Sequence, residues 1–167
     1  MTSKRLVANK VEDYDDNKGW NWLRLEVENP TAVSIQKCYG KLRARRMITV
    51  NPIQPEIPIA YGQHCRKYPQ LPPEGTRFTW LPEPSEPLMT ISGNSSEYLY
   101  FVAKKADKGA FNFQSETGPS YDNFSLGDFE LKLEVGSESE SFSPTRVKII
   151  FRAGGGNLEV INMEVLN

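Results

Sequence analysis

From Trp20 onward, apolar and polar positions alternate with a period of two. Leu23, Leu25 and Val27 interleave with Arg24, Glu26 and Glu28, the pattern of a strand with one buried and one wet face. Asn29-Pro30 ends it, because proline cannot donate to a ladder and asparagine favours turns. The chain resumes through Ala32, Val33 and Ile35. Then Cys38, Gly40, Leu42 and Ala44 alternate with Lys37, Tyr39, Lys41, Arg43 and Arg45. The apolar parity changes between Ile35 and Cys38, which predicts a bulge there.

Period two returns after Pro87. "LMTIS", "EYLYFVAKK" and "AFNFQ" are strand candidates rich in aromatic and β-branched residues. "DFELKLEV" puts Phe129, Leu131, Leu133 and Val135 on one face, and "TRVKIIFRA" does the same for Val147, Ile149 and Phe151. In the closing "NLEVINMEVL" the parity changes again, from Leu158 and Val160 to Ile161, Met163 and Val165. No segment shows the period of an amphipathic helix. About eight or nine short strands separated by turns predict an all-β fold, an antiparallel β-sandwich.

Two regions break the pattern. Residues 1–19 read as a polar, weakly ordered N-terminal arm, with an acidic cluster at Glu12, Asp13, Asp15 and Asp16. Its spacing fails the calcium-loop pattern, because no glycine and distal glutamate follow at the required offsets. Residues 51–87 hold nine of the 12 prolines. A regular helix is excluded there, since each internal proline costs about 3 kcal/mol. "TRFTWLP" is the best strand candidate within that connection. The expected organisation is thus an arm over 1–19 and a single sandwich domain over 20–167.

The stretch "SLGDFELKLEV" resembles strands of immunoglobulin-like and fibronectin-like domains. "LRLEVENPTAVSIQKCYGKLRA" resembles the opening hairpin of immunoglobulin-like soluble domains in uncharacterised, often membrane-associated, prokaryotic proteins. The resemblance implies an immunoglobulin-like sandwich with a long proline-rich insertion, and no particular activity. It also implies a soluble part of a larger or membrane-associated protein, anchored by a segment outside this chain.

Composition narrows the chemistry. The chain of 167 residues is 38% hydrophobic and 25% charged, with a net charge of -1, which suits a globular domain and gives no global basic excess for nucleic acid. It contains neither a run of about 18 apolar residues to span a bilayer nor the apolar core of a signal peptide, so the compartment stays unknown. Cys38, Cys65 and His64 are too few for a zinc site built from cysteine and histidine alone. Cys38 is expected to be a small buried hydrophobe with Cys65 in a loop. The alternatives are a Cys38–Cys65 disulfide and a catalytic thiol using His64 as base.

Two surfaces are candidate binding sites. Lys37, Lys41, Arg43 and Arg45 are expected on one solvent-facing strand face, balanced by Glu26 and Glu28 of the preceding strand; binding of a polyanion is the sharper alternative. Trp20, Trp22, Trp80, Tyr98 and Tyr100 are candidates for a sugar-stacking platform, with Trp80, Tyr98 and Tyr100 the nominated ligand residues. The glycines of "AGGGN" precede a strand rather than a helix, so they predict a hairpin turn and not a phosphate loop. No catalytic set, cofactor or metal site is expected. The reading is a non-enzymatic interaction or structural domain whose partner is another protein or protein domain; the alternative is a carbohydrate-binding module.

Overall fold

The computed structural model describes residues 3–50, 71–80, 87–105, 111–115, 118–123, 127–153 and 157–166. Ten strands lie among them: β1 (Val7–Asp15), β2 (Trp20–Asn29), β3 (Ile35–Val50), β4 (Met89–Ile91), β5 (Ser95–Lys105), β6 (Phe111–Ser115), β7 (Gly118–Asn123), β8 (Gly127–Ser137), β9 (Thr145–Ala153) and β10 (Leu158–Leu166). They form two antiparallel five-stranded sheets, ordered β1-β2-β5-β6-β7 and β10-β9-β8-β3-β4. The first is called sheet A here and the second sheet B. Among the described residues no helix is long and apolar enough to cross a membrane.

The predicted inner faces are the ones that meet. Leu23, Leu25 and Val27 of β2 and Leu99 and Phe101 of β5 are fully buried against Phe129, Leu131, Leu133 and Val135 of β8 and Val147, Ile149 and Phe151 of β9. Phe111, Phe113, Phe129 and Phe151 form one aromatic group, with Phe111 in contact with the other three and Phe129 stacked on Phe151 at 5.3 Å. Close approach of the sheets depends on Gly40, where an added Cβ would lie 2.2 Å from Leu99 Cδ2.

Both parity changes read from the sequence are bulges. β3 shifts register between Ile35 and Cys38, with Lys37 at a positive φ of 53°. β10 shifts between Val160 and Asn162. The β9–β10 pairing opposes Ala153 to Leu158, so the "AGGGN" connection joins neighbouring antiparallel strands; its glycines lie outside the described residues.

The structureless reading of residues 1–19 is corrected. Val7–Asp15 form β1, paired along its length with β2, and Leu6 and Ala8 enter the core. As an edge strand with a register shift between Ala8 and Lys10, β1 shows no sustained alternation. The acidic cluster builds its turn. Asp16 accepts hydrogen bonds from the Lys18 and Trp20 amides and the Trp22 indole, and Asp15 accepts one from the Asn17 amide.

Part of the proline-rich connection is also structural. Phe78 N donates to Gly40 O and Leu42 N to Thr76 O, so this segment lies on the free edge of β3. At the next residue, Tyr100 N donates to Thr79 O, which joins the same segment to β5 of the other sheet. Residues 76–80 therefore cross from one sheet to the other and cover that side of the core. Trp80, 1% exposed, is buried there and donates its indole N–H to Cys38 O at 2.9 Å.

Cys38 is a free, fully buried thiol on the inner face. Burial pushes it up to about 11, the behaviour of a packed hydrophobe rather than a nucleophile. Cys65 and His64 lie outside the described residues.

Candidate functional site

Each sheet turns one face to solvent, and the two faces differ. The outer face of sheet A carries aromatics. Tyr14, Trp22 and Tyr100 come together from β1, β2 and β5, with Trp22–Tyr100 centroids 5.5 Å apart and Trp20–Trp22 centroids 5.8 Å apart. The register explains this, since Tyr14 stands opposite Trp22, and Arg24 opposite both Glu12 and Tyr100. The Arg24 guanidinium sits 3.9 Å from the ring centroids of both Tyr14 and Tyr98. It donates to Tyr100 Oη at 3.0 Å and pairs with Glu12 at 2.8 Å. The clamp is a cation–π contact filled by the chain's own arginine.

The sugar-stacking platform thus takes a different form from the one expected. Trp80 is a core residue and contributes nothing to the surface. Tyr98 and Tyr100 do face outward, as the inward placement of Leu99 and Phe101 requires, but Tyr98 is stacked on Arg24 and Tyr100 is only 9% exposed.

The outer face of sheet B is charged. Its centre is Glu134 of β8, buried although it points away from the core, because long cationic side chains cover it. It accepts a hydrogen bond from Tyr39 Oη at 2.9 Å and one from Arg146 Nε at 3.3 Å, with Lys41 Nζ at 3.5 Å and Arg43 Nε at 3.7 Å. Burial opposes ionisation, but the Tyr39 hydroxyl, Arg146, Lys41 and Arg43 outweigh it and hold the carboxyl below its usual range. Burial and the bond to Glu134 push the Tyr39 hydroxyl up to about 12.

The basic strand is reassigned accordingly. Lys41 and Arg43 face outward, as expected. Arg45 does not, because β3 shifts register between Leu42 and Ala44, after which Ala44 stands opposite exposed Lys132 and Arg45 opposite buried Leu131. Arg45 instead donates to Pro72 O at 2.8 Å and approaches Glu74 at 3.8 Å. Lys37 sits in the earlier bulge. The balancing carboxylates are not Glu26 and Glu28, which belong to sheet A, but Glu134 and Glu130 of β8, the latter bonded to Arg46 at 2.8 Å. Ala44 concealed this bulge, because a small side chain suits either face.

Lys132 and Arg146, on β8 and β9, extend the cationic surface. With Arg43, Glu164, Val165 and Leu166 they line a furrow of about 930 Å³ across β3, β8, β9 and β10. Among the described residues no group of three or more His, Cys, Asp and Glu side chains is placed to hold a metal ion.

The carboxylate at the centre of this face predicts an acid response. A carboxyl held below its ordinary value of 4.5 stabilises the fold above that value and loses the contribution as pH falls through the folded value. Glu134→Gln is expected to lower stability at neutral pH by about 1–2 kcal/mol, the low end for bonds to a charged group, because the arginines and lysine stay partly solvated. The difference between wild type and variant should shrink towards zero at low pH. Urea unfolding at a series of pH values checks this; a difference independent of pH contradicts it.

Compared with protein-family models, curated proteins and solved structures, the chain shows no significant match to any.

Proposed function

We propose that the chain is a non-enzymatic, immunoglobulin-like β-sandwich that binds another protein or protein domain. The strand order supports the immunoglobulin-like part. β2 pairs with β5 in sheet A, while β3 pairs with β8 and β8 with β9 in sheet B, the B–E and C–F–G neighbours of that architecture.

The observation that carries the interaction reading is the edge of sheet B. β10 pairs with β9 alone among the described residues, and it leaves Ile161 42% and Val165 44% exposed. A strand edge bearing exposed apolar side chains is a template for another chain, which adds main-chain hydrogen bonds and seats alternate side chains. The carbohydrate alternative has less support, since its nominated residues are buried or stacked on Arg24.

Site-specific photo-crosslinking tests the reading. A benzoylphenylalanine at Ile161 is expected to give a discrete protein adduct in cells producing the chain, and one at Asn94, in an exposed turn at the far end of sheet A, none. Equal labelling at both positions, or no adduct at either, overturns it.

A further inference from the structure

The furrow on the outer face of sheet B has a charge that its own walls do not complete. Arg43 and Arg146 share one carboxylate, Glu134. Glu164, the carboxylate on the β10 side, is engaged by Lys148 at 3.1 Å. Lys132 stands between them with Lys148 directly opposite in the β8–β9 register and Ala44 opposite in the β3–β8 register. Like charges facing each other across a sheet are unfavourable. Glu130 feels Lys132, yet its hydrogen bonds go to Arg46. Of the furrow's three cations, Arg43 and Arg146 thus share Glu134, and Lys132 has no carboxylate partner among the described residues.

Its far wall is apolar. Leu166, opposite Arg146 in the β9–β10 register and so on this outer face, lines the end on β10, beside the exposed edge described above. Crossing from β3 to β10 spans three inter-strand steps, about 14 Å, which an extended chain covers in about four to five residues.

We propose that this furrow binds an extended segment of a partner protein that carries acidic side chains for Lys132, Arg146 and Arg43 and an apolar residue for Leu166. The inference rests on the protein-binding reading and names the chemistry of the partner. A phosphate backbone is the poorer match. It has no apolar group to seat on Leu166 at the β10 end of the furrow.

The test is fluorescence anisotropy with a fluorescein-labelled peptide of alternating glutamate and leucine, at low salt. Three comparison probes are its lysine–leucine counterpart, a single-stranded oligothymidine and phosphatidylserine vesicles. Saturable binding of the acidic peptide is expected, weakened by added salt. Lys132→Glu should reduce it by about tenfold or more, as reversal of an unpaired interfacial charge does, and Lys132→Gln by less. Lys10→Glu, on sheet A, should leave it unchanged. Circular dichroism and thermal unfolding verify that each variant is folded; because Lys132 is exposed and makes no ion pair among the described residues, both variants are expected to be.

Equal binding to wild type and both Lys132 variants overturns the assignment, as does tighter binding of the oligothymidine or the vesicles. If the peptide fails while Ile161 still crosslinks a partner, the furrow is excluded and the interaction reading stands. If both fail, both fall.

Discussion

Replacing Trp80 by alanine is expected to destabilise the protein by about 3–5 kcal/mol, the range for deleting a large buried aromatic side chain. Trp80 fills the side of the sandwich where residues 76–80 pass from β3 to β5, and its indole N–H satisfies Cys38 O. Alanine removes the ring and strands the carbonyl together. Trp80→Phe separates the terms, because it keeps most of the volume and loses only the donor; about 1–3 kcal/mol is expected for that variant. Urea unfolding followed by circular dichroism measures both. A loss below about 1 kcal/mol for Trp80→Ala is too small for a core position and would return Trp80 to the surface.

Asn29→Ala should cost nearly as much, about 2–4 kcal/mol, although asparagine is a small polar residue at a turn. Its side chain is fully buried where β2 ends. Nδ2 donates to Val33 O at 2.8 Å, Ile91 O at 3.0 Å and Ser92 O at 3.3 Å, and Oδ1 accepts from the amide and the hydroxyl of Thr31. One side chain thus ties together the end of β2, the connection to β3 and the end of β4. Each buried polar group left without a partner costs about 1–3 kcal/mol, and alanine abandons several. Asn29→Asp should not rescue it, because a carboxylate keeps the acceptor but cannot donate to the three carbonyls. Gly93→Ala probes the same corner sterically. A Cβ there would meet Ala32 O at 2.3 Å, a backbone atom that cannot swing away. A melting temperature for Asn29→Ala within about 2 °C of wild type contradicts the account, since even 1 kcal/mol shifts a domain of this size further.

Much of this architecture was legible because burial on one face writes itself as alternation. β2, β8 and β9 alternate cleanly, and their apolar residues form the core. The bulges at Lys37 and Ile161 were legible as parity changes. Three features were not. β1 is an edge strand whose outward residues and register shift mask the period. Arg45 turns inward because the bulge at Arg43 falls beside Ala44, a residue that prefers neither face. Trp80 could be nominated for a surface platform as readily as for the core, because aromatics in a proline-rich stretch give no periodic signal, and only tertiary placement decides their side. The cationic face of sheet B was the least legible. Lys41 and Arg43 are close in sequence, but Lys132 and Arg146 reach them through strand pairing across about 90 to 105 positions of chain, which local spacing cannot report.

The seam between the residues before β1 and those around the start of β9 has a consequence for how the protein is made. Thr145 Oγ1 donates to Leu6 O, and Lys4 pairs with Glu140 at 2.9 Å. β3 finds its main partner, β8, only after the whole proline-rich connection has been synthesised. Chains dominated by such distant pairings fold slowly. While β8 to β10 are still being translated, β2 and β5 expose Leu23, Leu25, Val27, Leu99 and Phe101 with nothing to cover them. The nascent chain is therefore at its most aggregation-prone in the interval after β5 has emerged and before β8 and β9 have, and its yield in a cell should depend more on holdase chaperones than on the stability of the finished sandwich.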